Sequence, residues 1–271
     1  MATPAATAQV FLHGAHVAQW SPAHADAPVL WLSAHSDFRE DKGIRGGVPI
    51  CFPWFGPHPS DPAAPAHGFA RLVDWLLVEA LESRDGSVTL TFVLDTSERT
   101  MPAWPHRCYA TYRLSLGTTL AMTLDVENPG SEPFTFEEAL HTYCSVHDIA
   151  TVSIEGLEDT EYLDKVDAFA RKRGANEPVR FSAETDRVYL ETTATCRIVD
   201  PGRSRAISIV KSGSRSTVVW NPWAAKAATF TDFGTDEWRQ MVCVETANVG
   251  PAAIHLTPGE SHTMRAEISV A

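Results

Sequence analysis

The chain has 271 residues, 44% hydrophobic and 21% charged, which is ample for a large buried core and ordinary for a globular protein. Its 34 acidic residues outnumber 22 basic ones, giving a net charge of −12. That balance excludes a nucleic-acid partner, because phosphate backbones are bound by clustered Lys and Arg, and it requires a local basic site to hold any anionic ligand.

Residues 1–8 are small and polar, without the charged start and apolar run of a signal peptide. No apolar stretch approaches the roughly 20 residues of a membrane helix, so no membrane partner is expected. Residues 10–20 and 28–32 predict two short strands, broken by Ser21-Pro22. The segment 43–68 follows, rich in Gly, Pro and aromatic residues. It holds Arg45-Gly46-Gly47-Val48-Pro49 and Cys51-Phe52-Pro53-Trp54-Phe55-Gly56-Pro57. Its prolines and glycines rule out regular helix, yet it is too apolar for a floppy linker. An ordered loop that packs or carries function is expected.

From residue 87 the chain turns steadily β. Strands are predicted at 87–95, 109–116 and 120–126, the last with Leu120, Met122, Leu124 and Val126 on one face. Asn128-Pro129-Gly130-Ser131-Glu132-Pro133 is a turn. Further short strands are predicted at 151–157, 194–199, 206–210, 216–220, 241–245, 253–256 and 262–270, with turns at Pro201-Gly202, Ser212-Gly213 and Pro258-Gly259. Many short strands without helix periodicity predict an all-β sandwich or barrel. With no repeat, low-complexity tract or composition break, a single domain over 1–271 is expected. Five cysteines, Cys51, Cys108, Cys144, Cys196 and Cys243, are odd in number and lack a C-x-x-C pair. They fit neither a disulfide framework nor a zinc ribbon, and read as reduced thiols of a cytoplasmic protein.

The run 134–143 reads as one strand that carries chemistry. Phe134, Phe136, Glu138 and Leu140 fall on one face; Thr135, Glu137, Ala139, His141 and Tyr143 fall on the other. A hydrogen-bonded histidine on a half-exposed strand is the ordinary account of a lone His there. A row of Glu, His and Tyr suits instead a groove that a polar ligand enters. Arg45 and Arg71 are flanked by glycines and suit a phosphate clamp, since a forked guanidinium matches phosphate geometry. Glu184-Thr185-Asp186-Arg187 offers a carboxylate for hydroxyls, and Trp220-Asn221-Pro222-Trp223 offers indoles that either stack on sugars or pack the sandwich. In 242–248 valines alternate with Cys243 and Glu245, so Glu245 points away from the face that Val242 and Val244 bury. A carboxylate and an imidazole on strands are the two groups a general acid–base enzyme requires.

Arg45-Gly46-Gly47-Val48-Pro49, His67-Gly68-Phe69-Ala70-Arg71, Leu140-His141-Thr142-Tyr143 and Cys243-Val244-Glu245-Thr246-Ala247-Asn248 occur in this order. Together they resemble the hexose-6-phosphate mutarotase (glucose-6-phosphate 1-epimerase) branch of the aldose 1-epimerase family, from about Val10 to the C-terminus. The resemblance implies a galactose-mutarotase-like β-supersandwich, two large antiparallel sheets with the site in the concave groove of one. It implies His141 and Glu245 as catalytic residues and Arg45 and Arg71 as the holders of a sugar phosphate. It also implies Asp186 and His67 as contacts to the sugar. Ala66 stands where the pattern has a polar residue such as Gln. No cofactor or metal is implied.

Interconverting anomers means opening the pyranose, rotating about C1–C2 and closing on the other face. Glu245 is then expected to take the anomeric proton while His141, as imidazolium, protonates the ring oxygen. The expected partner is a small hexose phosphate, most readily glucose 6-phosphate, bound by a monomer. Three rivals stay open: a neutral-sugar 1-epimerase with structural arginines, a non-catalytic sugar-binding module of the same fold, and a metal-dependent β-barrel enzyme. The last lacks ligand spacing, since His13 and His16 are the only close histidine pair.

Overall fold

Alternation of apolar and polar residues builds the long strands. In Leu120–Glu127 the side chains of Leu120, Met122, Leu124 and Val126 are fully buried, while Ala121, Thr123 and Asp125 between them are half-exposed. That two-residue period belongs to a sheet with one wet face. Tyr109–Leu116 repeats it, and the three strands Tyr109–Leu116, Leu120–Glu127 and Ser261–Val270 pair side by side. They sit within a nine-stranded antiparallel sheet. Its order is Val179–Arg180, Ser153–Glu155, Cys196–Asp200, Arg205–Ser212, Ser261–Val270, Leu120–Glu127, Tyr109–Leu116, Val88–Asp95 and Leu76–Glu82. The computed structural model describes residues 1–96 and 103–271. Among these, helix is confined to Trp223–Ala227 and to 3-10 turns of three or four residues.

A second antiparallel sheet, of eight strands, carries the groove. Its order is Ala170–Arg173, Glu161–Asp164, Thr185–Tyr189, Ser216–Asn221, Met241–Asn248, Glu138–Leu140 and Ile50–Cys51, with Tyr143–Ser145 also paired to Met241–Asn248. Its central strand Met241–Asn248 is buried from end to end, so both faces are covered. Directly opposed residues share a face in an antiparallel ladder. Leu140 opposes Thr246 and Ile50, and Val219 opposes Val244. Val219, Val244, Leu140 and Ile50 join Leu124 and Met122 in one apolar core between the two sheets. On the other face lie Cys51, Ala139, Val188, Val218 and Ala247, a smaller apolar cluster that floors the groove.

Several predicted strands are redrawn. The run 134–143 is three strands, not one. Phe134–Phe136 pairs with Ile254–Leu256, Glu138–Leu140 and Tyr143–Ser145 pair with different parts of Met241–Asn248, and Glu137, His141 and Thr142 stand outside the ladders. Glu137 therefore does not join a polar row in the groove: its carboxylate accepts from the backbone N–H groups of Phe55 and Gly250. Glu138 lies fully buried among the core residues, answered by Asn248 at 2.8 Å and His262 at 3.2 Å. The stretch 10–20 is two strands, Ala6–Phe11 and His16–Pro22, turned at Gly14 and Ala15, both with positive φ. Residues 28–32 make only isolated bridges at Leu30 and Leu32. Leu76–Glu82 was not predicted; it is an edge strand with all seven residues exposed, so no burial imposes a two-residue pattern on it.

The segment 43–68 is ordered by backbone hydrogen bonds. Val48 N–H donates to Val17, Gly47 N–H to Trp31, and Phe52 N–H to His67. The carbonyl of Phe52 accepts from both Phe69 and Ala70 N–H groups, so the turn at 67–70 presses on Phe52. All five cysteines are buried and unpaired.

Gly68 is the tightest point of that strap. Its φ is +71°, and a β-carbon there would sit 1.9 Å from the Phe52 carbonyl oxygen. Gly68→Ala is expected to lose about 2 kcal/mol or more, counting left-handed strain and the forced backbone shift, and so about 4–8 °C in Tm. A melt superimposable on wild type would show that the strap is not under this constraint.

Candidate active site

His141 and Glu245 meet because of register. Leu140 opposes Thr246 and Tyr143 opposes Cys243, so the interrupted pair His141–Thr142 spans a gap in one continuous register that places His141 across from Glu245. The backbone in the gap is held from both sides: His141 N–H donates to Pro49, and Thr142 accepts from the N–H of Val244, which lies across from it. His141 Nε2 lies 3.4 Å from Glu245 Oε1. The remaining polar atoms, His141 Nδ1 and Glu245 Oε2, are buried without a partner. An orphaned atom on each member of a buried pair has the valence to meet a ligand.

The same face supplies the walls. Trp220 opposes Cys243 and Asp186 opposes Trp220, so register aligns Tyr143, Glu245, Trp220 and Asp186 on one side of the sheet. The Tyr143 ring stacks on His141 at 4.8 Å, and Trp220 meets His141 edge-on at 6.0 Å. They enclose a cavity of about 290 Å³ with Phe55, His67, Arg45, Arg71, Lys165 and Phe230. A second, more open cavity of about 400 Å³ shares Arg45, Arg71, Tyr143 and Phe230 with the first. The two arginines thus stand at the boundary between them.

The arginines are not equivalent. Arg45 is engaged by Asp232 (Nε–Oδ2 3.2 Å) and the Tyr143 hydroxyl (3.2 Å), and packs over Phe230. Arg71 gives one N–H to the Ala66 carbonyl at 2.8 Å, and its Nε is buried without a partner. The place of a polar side chain at 66 is taken by the backbone, which orients Arg71. Asp186 Oδ2 meets Lys165 Nζ at 3.0 Å, while Oδ1 is buried and unpartnered.

Burial sets the protonation states. It pushes the Glu245 carboxyl well above the usual range, only partly offset by the Lys165 ammonium. It pushes His141 well below 6.5, with His67, Arg71 and Arg45 acting in the same direction. Both shifts run against the imidazolium–carboxylate form expected from the sequence. Burial of the pair favours a neutral imidazole beside a carboxyl that holds the proton. His67 is pushed down to about 3 by burial and by the nearby cations. Its Nδ1 accepts from Gly56 N–H at 3.3 Å, which leaves Nε2 to carry the ring proton.

All six residues singled out in the sequence, Arg45, His67, Arg71, His141, Asp186 and Glu245, line this one cavity. Of the two tryptophans, Trp220 lines it, whereas Trp223 packs on Trp238 at 4.6 Å. Lys165, Asp232 and Lys226 were missed. Lys165 and Lys226 line the cavity, and Asp232 engages Arg45. The only sequence signal for Lys165 is a lysine between aspartates, which is common on any surface. Among the described residues no three His, Cys, Asp and Glu side chains group as metal ligands would.

Comparison with known proteins agrees with this geometry. The family model described as aldose 1-epimerase matches residues 1–269. An Escherichia coli K12 protein named "putative glucose-6-phosphate 1-epimerase" is 40% identical over 245 residues, covering 90% of this chain and 80% of that one. A Cenchrus ciliaris protein of the same name is 34% identical over 270 residues, covering 97% and 80%. A crystal structure titled as a "putative mutarotase" from Salmonella typhimurium superposes with a TM-score of 0.91 at 35% identity, covering 99% of this chain and 88% of that one. The two large antiparallel sheets are thus the mutarotase supersandwich.

Two buried histidines make stability pH-dependent. His16 and His67 are each lowered to about 3 by burial. Unfolded, each binds a proton near pH 6.5; folded, neither does until about pH 3. Stability therefore falls as pH drops below about 6.5, by up to about 1.4 kcal/mol per pH unit per histidine. His16 lies outside the cavity, so His16→Gln should flatten the dependence of Tm on pH between 6 and 4 without altering the pocket. An unchanged slope would mean His16 is not held neutral.

Proposed function

Because the chain belongs to the aldose 1-epimerase family, we propose that it interconverts the α and β anomers of a hexose 6-phosphate, with D-glucose 6-phosphate the substrate that the relatives' names favour. The observation that carries this reading is the His141–Glu245 pair, brought within 3.4 Å by the register of the flanking strands, with an unpartnered buried atom on each member. The sugar ring fits the inner cavity, with Trp220 as a stacking wall. The phosphate lies toward the boundary, at Arg71, whose guanidinium faces no carboxylate within ion-pair distance among the described residues, and at Arg45. The partner is this small molecule, and the chain acts as a cytoplasmic monomer. No helix among the described residues is long and apolar enough to cross a membrane.

The chemistry needs one proton moved at each of two oxygens. In the ionised form of the pair, Glu245 carboxylate removes the proton from O1. The O1 electrons form the C1=O1 carbonyl, the C1–O5 bond breaks toward O5, and His141 imidazolium protonates O5. After rotation about C1–C2 the O5 hydroxyl adds to the other face of C1, and both protons retrace their paths. Ring opening converts the charged pair into protonated Glu245 and neutral His141. That is the form burial favours, so the pocket stabilises the side of the step on which the open chain exists. Hydrogen bonds from bound hydroxyls to the Glu245 carboxylate favour the ionised form before opening. Positioned acid and base contribute about 10²–10⁴-fold.

The pairing of Arg45 with Asp232 favours a second reading, a neutral-sugar epimerase, and the arginines decide between them. Arg71→Ala should raise KM for glucose 6-phosphate roughly 10- to 100-fold, as expected for a lost charge-assisted contact, and leave glucose kinetics nearly unchanged. Arg45→Ala should cost less, since Asp232 already claims that guanidinium. Equal losses on both sugars would make the arginines structural and favour the neutral-sugar reading.

Glu245→Gln and His141→Asn should each lower kcat by about 10²–10⁴-fold while Tm stays close to wild type. The double variant should be little worse than either single one, because the two groups act as a unit. An anomer-specific coupled assay reads this, and near-wild-type kcat in either variant would remove that residue from the mechanism.

A further inference from the structure

Resting on the reading of the cavity as a hexose-phosphate site, we propose that Lys165 is a positioning residue: it holds Asp186 Oδ2 so that Oδ1 is left for a sugar hydroxyl. Lys165 opens the 3-10 turn Lys165–Asp167, which joins Glu161–Asp164 to the edge strand Ala170–Arg173. The turn is built to present it. Asp164 caps it by accepting from Val166 N–H at 3.2 Å and also meets Lys172 at 2.8 Å. Ala168 and Phe169 then reverse the chain with φ of +48° and +61°.

The ammonium is committed inward. Lys165 Nζ lies 3.0 Å from Asp186 Oδ2 and 5.1 Å from the centre of the Phe55 ring. The two side chains are 20% and 19% exposed, so the pair is mostly withdrawn from solvent and faces the cavity. Its location separates it from the arginines. Arg45 and Arg71 border both cavities, whereas Lys165, Asp186, His141 and Glu245 line only the inner one. Lys165 therefore stands on the sugar side and acts through Asp186, not on the phosphate.

One oxygen tied and one unpartnered gives Asp186 a single orientation and a single free acceptor. A carboxyl accepts most strongly from a sugar hydroxyl when it is ionised, yet burial raises the proton affinity of Asp186 and the nearby Lys165 charge is the first influence opposing it. Without the ammonium, only the more distant Lys226 charge would offset burial and the like charge of Asp164, so the proton affinity of Asp186 would rise further. The charge-assisted contact to the hydroxyl would then weaken.

The test is a mutant cycle on the full chain with glucose 6-phosphate, using Lys165→Met, Lys165→Arg, Asp186→Asn and the double variant Lys165→Met/Asp186→Asn. Lys165→Met should lower kcat/KM roughly 10- to 100-fold, mainly through KM, and move the acid limb of its pH profile upward. Lys165→Arg should recover most of the loss, and the double variant should be no worse than Asp186→Asn. Carbon-13 NMR of the Asp186 carboxyl, which needs no turnover, should show its titration moved to higher pH in Lys165→Met. Multiplicative losses in the double variant, or an unshifted carboxyl titration, would overturn the role given to Lys165. An active wild type with those results sinks this inference alone. A wild type inactive on every hexose phosphate sinks the reading of the cavity, and the inference with it.

Discussion

The site depends on one constraint of sheet geometry, the shared register of Glu138–Leu140 and Tyr143–Ser145 against Met241–Asn248. Leu140 stays opposite Thr246 and Tyr143 opposite Cys243, so the break at His141–Thr142 neither adds nor drops a residue. A slip by one position would turn Glu245 toward the core and bring Val244 or Thr246 across from His141. The register is pinned on the other face by the core, where Leu140, Val219, Val242 and Val244 are all buried. The apolar face thus sets the polar one.

Burying the pair has an electrostatic cost, and the arrangement turns that cost to use. Glu245 is 1% exposed and His141 8%, and neither charge is well solvated. Carrying one proton between them, the two groups can be charged or neutral without exchanging protons with water. Aromatic rings from Tyr143, Trp220 and Phe230 flank the pair, while Arg45, Arg71, Lys165 and Asp186 make the rest of the cavity wall charged. With both groups buried, a change in hydrogen bonding shifts the pair from one form to the other. Acidic residues elsewhere are spent structurally: Glu137 ties Phe55 and Gly250, Glu138 ties Asn248 and His262, and Asp200 ties the His147 backbone.

Much of this was legible in the residues. Alternation gave the long strands Leu120–Glu127 and Tyr109–Leu116 nearly to the residue, because one buried face imposes the period. The face of Glu245 followed from Val242 and Val244, and the faces of Ala139 and Tyr143 survive even though the predicted strand breaks into three. The breaks themselves were not legible, since the Glu137 N–H goes to the Pro53 carbonyl and the His141 and Tyr143 N–H groups go to Pro49 and Gly47, all in a segment distant in the chain. Leu76–Glu82 escaped because an exposed edge imposes no pattern. Lys165 and Asp232 escaped for a different reason: their partners Asp186 and Arg45 are brought near only by folding. The lowered proton affinity of His141 follows from burial, which a strand pattern does not report.

The central claim is that this buried pair moves protons at an anomeric centre, and saturation-transfer NMR of glucose 6-phosphate tests it most directly. Irradiating H1 of the α anomer should diminish H1 of the β anomer, at a rate proportional to the concentration of added protein. An exchange rate equal to the spontaneous one at every protein concentration would contradict the account.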